Sequence, residues 1–449
     1  MEDYTYKDSG VQWLGKIPNH WKPMKLKKLI KLIPSNVDKR TEDDETHVEL
    51  CNYVDVYYND VIDTSIDFME ATANDGELKR FQLEVGDVII TKDSEDPNDI
   101  AVPAIVRETK ERLLCGYHLS ILRNNSHRLN NRFLFWTLKD EKIASQLHRE
   151  ATGITRWAIA TKHIKNSIIP IPNPDEQKAI ANYLEKACKN IDRVIEAKKK
   201  QLVLIEKYFN ERVFEATTKG LKEDADLKNV SSNWISGIPE HWEVKKVKRF
   251  CNLFRGKFTH RPRNDPDYYG GEYPFIQTGS ISKANKYIND YTQTLNDKGL
   301  AVSQMFPSGT LTMTIAANIG DVAILNFDAC FPDSIVGFKP NHNMDLEYLY
   351  YLFKAVKQDF LSTAIVTTQL NLNIVRIGNV EIFRPPLKEQ QQIVSRLNIL
   401  SKTVVELKNK IQSQINSIEE YRNSLIHECV TGKKKVFEGE SEGIKAEVA

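Results

Sequence analysis

The sequence predicts two mixed α/β (α+β) domains that alternate with two long helices, in a chain with a pseudo-two-fold internal repeat. Two shared motifs predict this. The Trp-rich segment 13–21 returns at 234–242, and in both copies it ends in His-Trp. A Glu-Gln pair that follows a proline, Glu176-Gln177, returns as Glu389-Gln390 and opens a long amphipathic helix each time. A module that recurs with similar spacing predicts two units of similar structure.

Short β-rich runs joined by polar loops make up each predicted domain. In each copy a turn at a glycine precedes a buried strand, and a second strand follows at 102–106 or 322–325. A helical segment comes next, at 131–147 or 346–361. The continuous apolar runs between turn signals favour buried strands.

The two long helices are predicted to form an antiparallel coiled coil, because steps of three and four continue over roughly five heptads. The apolar positions are Ile180, Leu184, Ala187, Ile191, Val194, Leu202, Ile205, Phe209 and Ala216 in the first helix, and Ile393, Leu397, Leu400, Val404, Leu407, Ile411, Ile415, Ile418, Tyr421 and Leu425 in the second. Because each helix follows its own domain, we expect the domains at opposite ends of a rod of ~60 Å.

Composition restricts the class of protein without giving its function. In 449 residues, 62 Lys and Arg nearly balance 61 Asp and Glu, so any surface that binds a polyanion must come from local clustering. The six cysteines are scattered without a CxxC pair, which argues against a zinc site and a disulfide framework. No signal peptide and no apolar run of about 20 residues is found. We therefore expect a cytoplasmic protein.

Sequence motifs of common enzymes are missing. The chain has no Gly-x-x-x-x-Gly-Lys-Ser/Thr phosphate loop, no Gly-x-Gly-x-x-Gly turn and no Asn/Asp-Pro-Pro-aromatic tetrad. No His, Cys and carboxylate residues have the spacing of metal ligands. The sequence therefore predicts neither a catalytic site nor a metal site.

The alternation of these motifs resembles the specificity subunit of a type I restriction-modification system, over about residues 10–435. The resemblance is carried by Gly-x-Ile-Pro-x-x-Trp before each domain (Gly15 to Trp21, and one residue shorter at Gly237 to Trp242) and by the Glu-Gln helix openings. It implies target-recognition domain 1 at 1–170, helical spacer region 1 at 171–220, target-recognition domain 2 at 221–384, helical spacer region 2 at 385–432 and a disordered tail at 433–449.

The resemblance also implies a function. Each head would read one half of a bipartite, asymmetric site in double-stranded DNA, and the coiled coil would set the spacer and dock two methyltransferase subunits. Restriction/translocase subunits would join this core, and no membrane is involved. The chain would be non-catalytic and hold no cofactor, since S-adenosylmethionine, ATP and Mg²⁺ belong to the partner subunits. A coiled-coil scaffold with two protein-binding heads is the alternative; a fused methyltransferase-nuclease is disfavoured by the missing motifs.

A basic run near the start of the second domain is the first candidate DNA-binding segment. Phenylalanines interleave its cations, which suits phosphates and nearby base edges, although a solvated strand edge would look similar. The first domain has fewer cationic candidates. The candidate DNA-binding cations are Arg255, Lys257, Arg261 and Arg263 in the second domain, and Lys39, Arg40 and Lys92 in the first.

A polar segment before each long helix is the second candidate. Asn and Gln can pair with adenine and Arg with guanine in the major groove, whereas turn and cap chemistry would use similar residues. The candidates are Thr155, Arg156 and Trp157 in the first domain, and Thr368, Gln369, Asn371 and Asn373 in the second. Trp21 and Trp242, each preceded by a histidine, are predicted to pack onto their own domain or helix, with partner docking as the alternative.

Overall fold

The chain contains two compact units. The computed structural model describes residues 5–222, 225–230, 235–316, 318–363, 365–366 and 370–436. The first unit is Met1–Lys198 with Ser413–Ala449, and the second is Lys199–Gln412. We call residues 5–173 the first head and residues 225–386 the second head; each unit also holds part of both long helices. The predicted tail falls largely on residues 437–449, which lie outside the described residues.

A five-stranded sheet with the same strand order forms the centre of each head. In both sheets the last pair of strands is parallel and the other pairs are antiparallel. In spatial order the strands are Ile30–Pro34, Leu119–Asn124, Val88–Thr91, Pro103–Val106 and Val61–Ile62 in the first head, and Cys251–Arg255, Ile335–Pro340, Leu311–Thr314, Val322–Leu325 and Tyr287–Ile288 in the second. The shared topology confirms the predicted internal repeat.

The middle strands of these sheets are buried along their whole length. Val88–Thr91 and Leu311–Thr314 expose no residue on either face, which explains the continuous apolar run of the first strand. In the second strand apolar residues alternate with threonines, and both threonines are buried. Each strand follows a turn at a glycine with positive φ, +94° at Gly86 and +78° at Gly309. The predicted turn and buried strand are therefore confirmed in both copies.

Shorter strands and helices surround the two central sheets. In the first head the other strands are Tyr6–Asp8 with Lys16–Pro18, Lys22–Lys25 with Ile168–Ile171, Thr46–Cys51 between Leu113–Cys115 and Met69–Ala73, and Trp157–Ile159 between Ala151–Gly153 and Asp93–Ser94. In the second head they are Leu227–Lys228 with Ile238–Pro239, Glu243–Lys246 with Glu381–Arg384, Tyr269–Pro274 with Thr294–Leu295, Met305–Phe306 with Ala329–Cys330, and Ile365–Val366 with Leu370–Asn371.

The helices of the heads are all short. They are Tyr53–Tyr58, Asp75–Phe81, Asn131–Lys139, Glu141–His148 and Thr161–Asn166 in the first head, and Val247–Phe250, Thr278–Lys283, Asp297–Ala301, Leu346–Ala355, Lys357–Ser362 and Ile374–Asn379 in the second. Three-residue 3-10 helices lie at Leu26–Lys28, Pro97–Asp99 and Pro266–Tyr268.

The helical segments predicted at 131–147 and 346–361 are each two helices rather than one. In the first head the break is Asp140, whose backbone is extended (φ −71°, ψ 118°) and whose side chain accepts a hydrogen bond from the Ile143 amide. Asp140 therefore ends one helix and caps the next. Val356 makes the corresponding break in the second head. The prediction missed the second break because apolar residues continue through it, whereas the first break lies in the charged run 139–142.

The two long helices span Pro174–Lys219 and Leu387–Val430. In the first unit, Asp192 pairs with Arg422 (3.0 Å) and Lys198 donates to Gln414 (3.0 Å). As the residue number rises along the first helix, the number of the contacted residue on the second helix falls. The two helices therefore run antiparallel, as predicted.

Within the second unit the same direction holds. Lys408 lies 2.8 Å from Glu206, and Gly220, just beyond the end of the first helix, lies beside Glu389 at the start of the second. The predicted apolar stripe is correct at most positions but wrong at three. Leu407 and Tyr421 are exposed, and Ile195 rather than Val194 is the buried residue of its turn.

A glutamate at the start of each long helix binds the His-Trp motif of the head. Glu176 accepts hydrogen bonds from the indole of Trp21 (3.0 Å) and from His20 (2.9 Å). Glu389 makes the same contacts with Trp242 (3.1 Å) and His241 (2.8 Å). Both indoles are fully buried, so the prediction that these residues pack onto their own domain and helix is confirmed.

The glutamine that follows each glutamate is fully buried and binds backbone only. The Gln177 side chain accepts from the Asn130 amide (2.8 Å) and donates to the carbonyls of Arg128 (2.8 Å) and Pro172 (2.9 Å). Gln390 repeats these bonds with the Asp345 amide (2.7 Å) and the carbonyls of Asn343 (3.0 Å) and Pro385 (2.8 Å). In each copy the glutamine side chain thus links the first turn of the long helix to the loop that precedes a short helix of the head.

Each long helix ends at a glycine packed against a tryptophan. Gly220 and Gly432 have φ of +77° and +74°, the left-handed conformation of a helix C-terminus. A Cβ at Gly432 would lie 3.1 Å from the Trp21 ring, and one at Gly220 would lie 3.3 Å from the Trp242 ring. Each tryptophan therefore contacts the start of one long helix and the end of the other.

Gln177→Glu should destabilise the first unit by about 3 kcal/mol or more, because one buried and one partly buried carbonyl lose their donor and then face a buried carboxylate. Urea unfolding of the purified chain measures this. Gln201→Glu, at an exposed position of the same helix, is the matched control and should change stability little. Equal unfolding midpoints for the two variants would contradict the role given to Gln177.

Candidate nucleic-acid interface

Three arginines of the second head gather around Asp333. Arg263 pairs with its carboxylate, and Arg261 lies 3.6 Å from the other carboxylate oxygen. Arg255, at the end of the edge strand Cys251–Arg255, donates from Nε to the Asp333 carbonyl at 3.0 Å. One acid for three guanidinium groups leaves a positive cluster on an exposed loop, and Lys257 is exposed beside it in sequence. We call Arg255, Lys257, Arg261 and Arg263 the arginine cluster.

The arginine cluster borders an aromatic cleft of about 470 Å³. Arg263 contributes to its lining together with Tyr269 and Phe275, and two amides, Gln277 and Gln293, hydrogen-bond to each other at 3.0 Å. Phe258 is buried beneath the loop. The phenylalanine that interrupts the basic run therefore anchors the loop, while the cations on either side of it stay exposed.

The first head places a different polar cluster at a β-hairpin. Arg156 lies between the hairpin strands Ala151–Gly153 and Trp157–Ile159, and the second of these strands also pairs with Asp93–Ser94. This pairing brings Asp93 to the Arg156 guanidinium, with 2.8 Å from Oδ1 to Nε and 2.7 Å to Nη2. His118 joins them, its Nδ1 2.5 Å from the same Asp93 oxygen.

The other predicted residues of the first head have varied surroundings. Lys39, Arg40 and Thr155 are exposed, and Trp157 is half-buried in its strand. Lys92 is half-buried, and its ammonium donates to the Ser35 carbonyl at 2.6 Å. Desolvation by this burial lowers the pKa of Lys92. The structure therefore brings Arg156, rather than Lys92, into an exposed polar cluster.

In the second head the polar segment is only partly described. Thr368 and Gln369 lie outside the described residues, and so does the side chain of Asn371, whose backbone pairs with Ile365. Asn373 accepts a hydrogen bond from the Val375 amide at 2.8 Å and so caps the helix Ile374–Asn379. This is the cap chemistry that the sequence left open as the alternative.

Three residues of these clusters were missed from the sequence. Asp93 stood in an acidic loop that gave no indication of an arginine partner, and His118 and Asp333 were single polar residues without a motif. Asp93 is separated from Arg156 by 63 positions, and only the strand pairing unites them. No group of three or more potential metal-binding side chains occurs in the described part of the chain.

Comparison with known proteins identifies the family. The family model for the type I restriction modification DNA specificity domain matches twice, at residues 18–204 and 239–417. The chain belongs to this family. Both DNA specificity domains include most of a head and the first half or more of the long helix that follows it.

Relatives and solved structures agree with this assignment. The MjaX specificity subunit assigned to a type I restriction enzyme of Methanocaldococcus jannaschii is 24% identical over 94% of this chain and 96% of its own length. The EcoBI type I specificity subunit of Escherichia coli is 22% identical over 70% of this chain and 66% of its own. Both relatives are described as specificity subunits of type I restriction enzymes.

Two solved structures share the fold. A chain from a type I R-M system superposes with a TM-score of 0.69 at 18% identity, over 93% of this chain and 99% of its own length. The HsdS subunit from Thermoanaerobacter tengcongensis gives 0.50 at 18% identity, over 93% and 98%. No described helix of this chain is both long enough and apolar enough to cross a bilayer.

In the first specificity domain, Arg156→Gln should raise the pKa of His118. Burial lowers that pKa most, Asp93 opposes the shift, and the Arg156 charge lowers the pKa further. NMR titration of the imidazole, assigned with His118→Asn, measures the change, and Arg149→Gln serves as control for loss of an exposed arginine. An unchanged His118 titration in Arg156→Gln would contradict the contact.

The lowered pKa also gives the sign of a pH effect. As pH falls below about 6.5, the unfolded chain takes up a proton at His118 before the folded head does, so this residue's contribution to stability declines with acidification.

Proposed function

We propose that this chain is the DNA-reading subunit of a type I restriction-modification complex, in which each specificity domain reads one half of a bipartite, asymmetric site. The supporting observation is that two domains with the same central sheet present different polar clusters on their loops. A shared scaffold keeps the two domains alike, and differing side chains give each one its own base sequence. The antiparallel helices would set the length of the unread spacer.

We propose further that catalysis belongs to partner subunits. Two methyltransferase subunits would bind the chain and supply S-adenosylmethionine chemistry, and restriction/translocase subunits would use ATP and Mg²⁺. The target base must leave the stack to be methylated, and this chain would hold the flanking duplex during that step. A cytoplasmic location is part of this proposal.

Methylation mapping tests the proposal. The chain is expressed with its methyltransferase partner, and the modified DNA is sequenced for methylated bases. The expected result is two short conserved blocks separated by a spacer of fixed length. A continuous site, or no site, would refute bipartite reading. Salt-independent binding, or no binding, to duplex DNA by the assembled pair would instead favour the scaffold alternative.

Replacing Arg255, Lys257 and Arg261 together with glutamine should weaken binding to all DNA sequences. If each cation neutralises one phosphate, the slope of log K against log salt falls by about 0.9 per lost contact. Fluorescence anisotropy over a salt series measures both effects. The control replaces Lys283, Lys298 and Lys388, three exposed lysines of the same unit outside the arginine cluster. Equal losses in the two triple variants would argue against a specific role of the cluster.

A further inference from the structure

The hairpin at residues 151–159 of the first head carries Arg156 on a tight, exposed turn. A Cβ added at Gly153 would lie 2.0 Å from the Arg156 carbonyl oxygen, so only glycine fits this close approach. At the tip, Ile154 is 95% exposed. A two-stranded β-ribbon has dimensions that fit the major groove of duplex DNA. The hairpin is therefore a suitable carrier for a base-reading side chain.

Asp93 occupies only one edge of the Arg156 guanidinium. Its Oδ1 contacts Nε and Nη2, the side edge. Nη2 also lies within hydrogen-bond distance of His118, whereas no hydrogen bond from Nη1 to a protein acceptor is found in the described part of the chain. About half of the arginine side chain is exposed. Nη1, which carries two N–H donors, is therefore held ready at the surface.

His118 supports the guanidinium from a second direction. Nη2 lies 2.8 Å from His118 Nδ1 and 3.0 Å from Nε2. A nitrogen this close to both ring nitrogens lies over the face of the imidazole and not in line with either lone pair. His118 is itself held by Asp93, and both side chains are about 15% exposed. Two largely buried groups thus restrict the rotation of one exposed arginine.

We propose that Arg156 reads a guanine in the half-site of the first head, with Asp93 and His118 as positioning residues. The guanine major-groove edge presents the acceptors O6 and N7, and arginine is the side chain that most often makes a specific contact with this edge. A phosphate would also accept these donors, but a contact to phosphate carries no sequence information, so the methylation map distinguishes the two. Prior fixing of the arginine lowers the entropy lost on binding. This inference rests on the proposed function.

The test compares methylation maps of the complete chain, co-expressed with its methyltransferase partner, for the natural protein, Arg156→Lys and Asp93→Asn. Arg156→Lys should relax one G·C position in one half-site, lowering discrimination there by about 10- to 100-fold. Asp93→Asn should relax the same position less. The other half-site should stay unchanged in both variants, which also reports that the chain folds. Arg149→Lys, an exposed arginine of the same head, is the control and should leave the map unaltered.

Duplexes with modified bases at that G·C position make the test independent of folding. Replacing the guanine with 7-deazaguanine removes N7 and should weaken binding, whereas inosine keeps O6 and N7 and should bind like guanine. Uniform weakening at all sites in Arg156→Lys, without relaxation of any base, would assign Arg156 to a phosphate and overturn the proposal. An unchanged map in this variant would also overturn it. If the natural protein gave no bipartite map, the proposed function itself would fail.

Discussion

The attachment of each long helix to its head depends on two adjacent residues of the helix's first turn. Glu176 binds the indole and imidazole of the His-Trp motif, and Gln177 satisfies three backbone groups of the head. Because Gln177 is fully buried, its bonds have no water to replace them. The pair therefore fixes where the helix starts relative to the central sheet. Glu389 and Gln390 repeat this in the second unit, so one solution to helix docking serves both halves of the chain.

Much of this scaffold could be predicted from the sequence because its signals are local. The proline before each Glu-Gln pair, the heptad steps and the glycine turns each depend on a few neighbouring residues. Each of the helices predicted at 131–147 and 346–361 is in fact two helices. Val356 interrupts the backbone without interrupting the apolar pattern, and Asp140 does so within a charged run that an exposed helix face could equally carry. Leu407 and Tyr421 follow the heptad pattern yet are exposed, since sequence periodicity alone does not reveal which positions the partner helix covers.

The candidate interface was less predictable because it depends on pairings between distant segments. The basic run of the second head indicated a cluster, but its organising residue, Asp333, carried no signal of its own. In both heads a carboxylate orients arginines: Asp333 contacts Arg261 and Arg263, and Asp93 contacts Arg156. Acids in these positions also explain why a nearly neutral chain can present local cationic surfaces. Net charge counts the orienting acids and the exposed cations together and so conceals both.

The two units keep the same helix opening but differ in a contact further along the helix. Nine residues after each opening glutamate, the first helix carries Glu185 and the second carries Asn398. Glu185 forms ion pairs with two arginines of the first head, Arg107 and Arg132. The Asn398 side chain instead accepts a hydrogen bond from the Lys286 ammonium and donates one to the Glu347 carboxylate of the second head, both at 2.7 Å. Neither head therefore fits the other's helix at this position. A first head joined to the second helix would leave two guanidinium groups facing a neutral amide, without the carboxylate that pairs with them. Replacement of a head thus preserves its docking only if this helix residue is transferred with it.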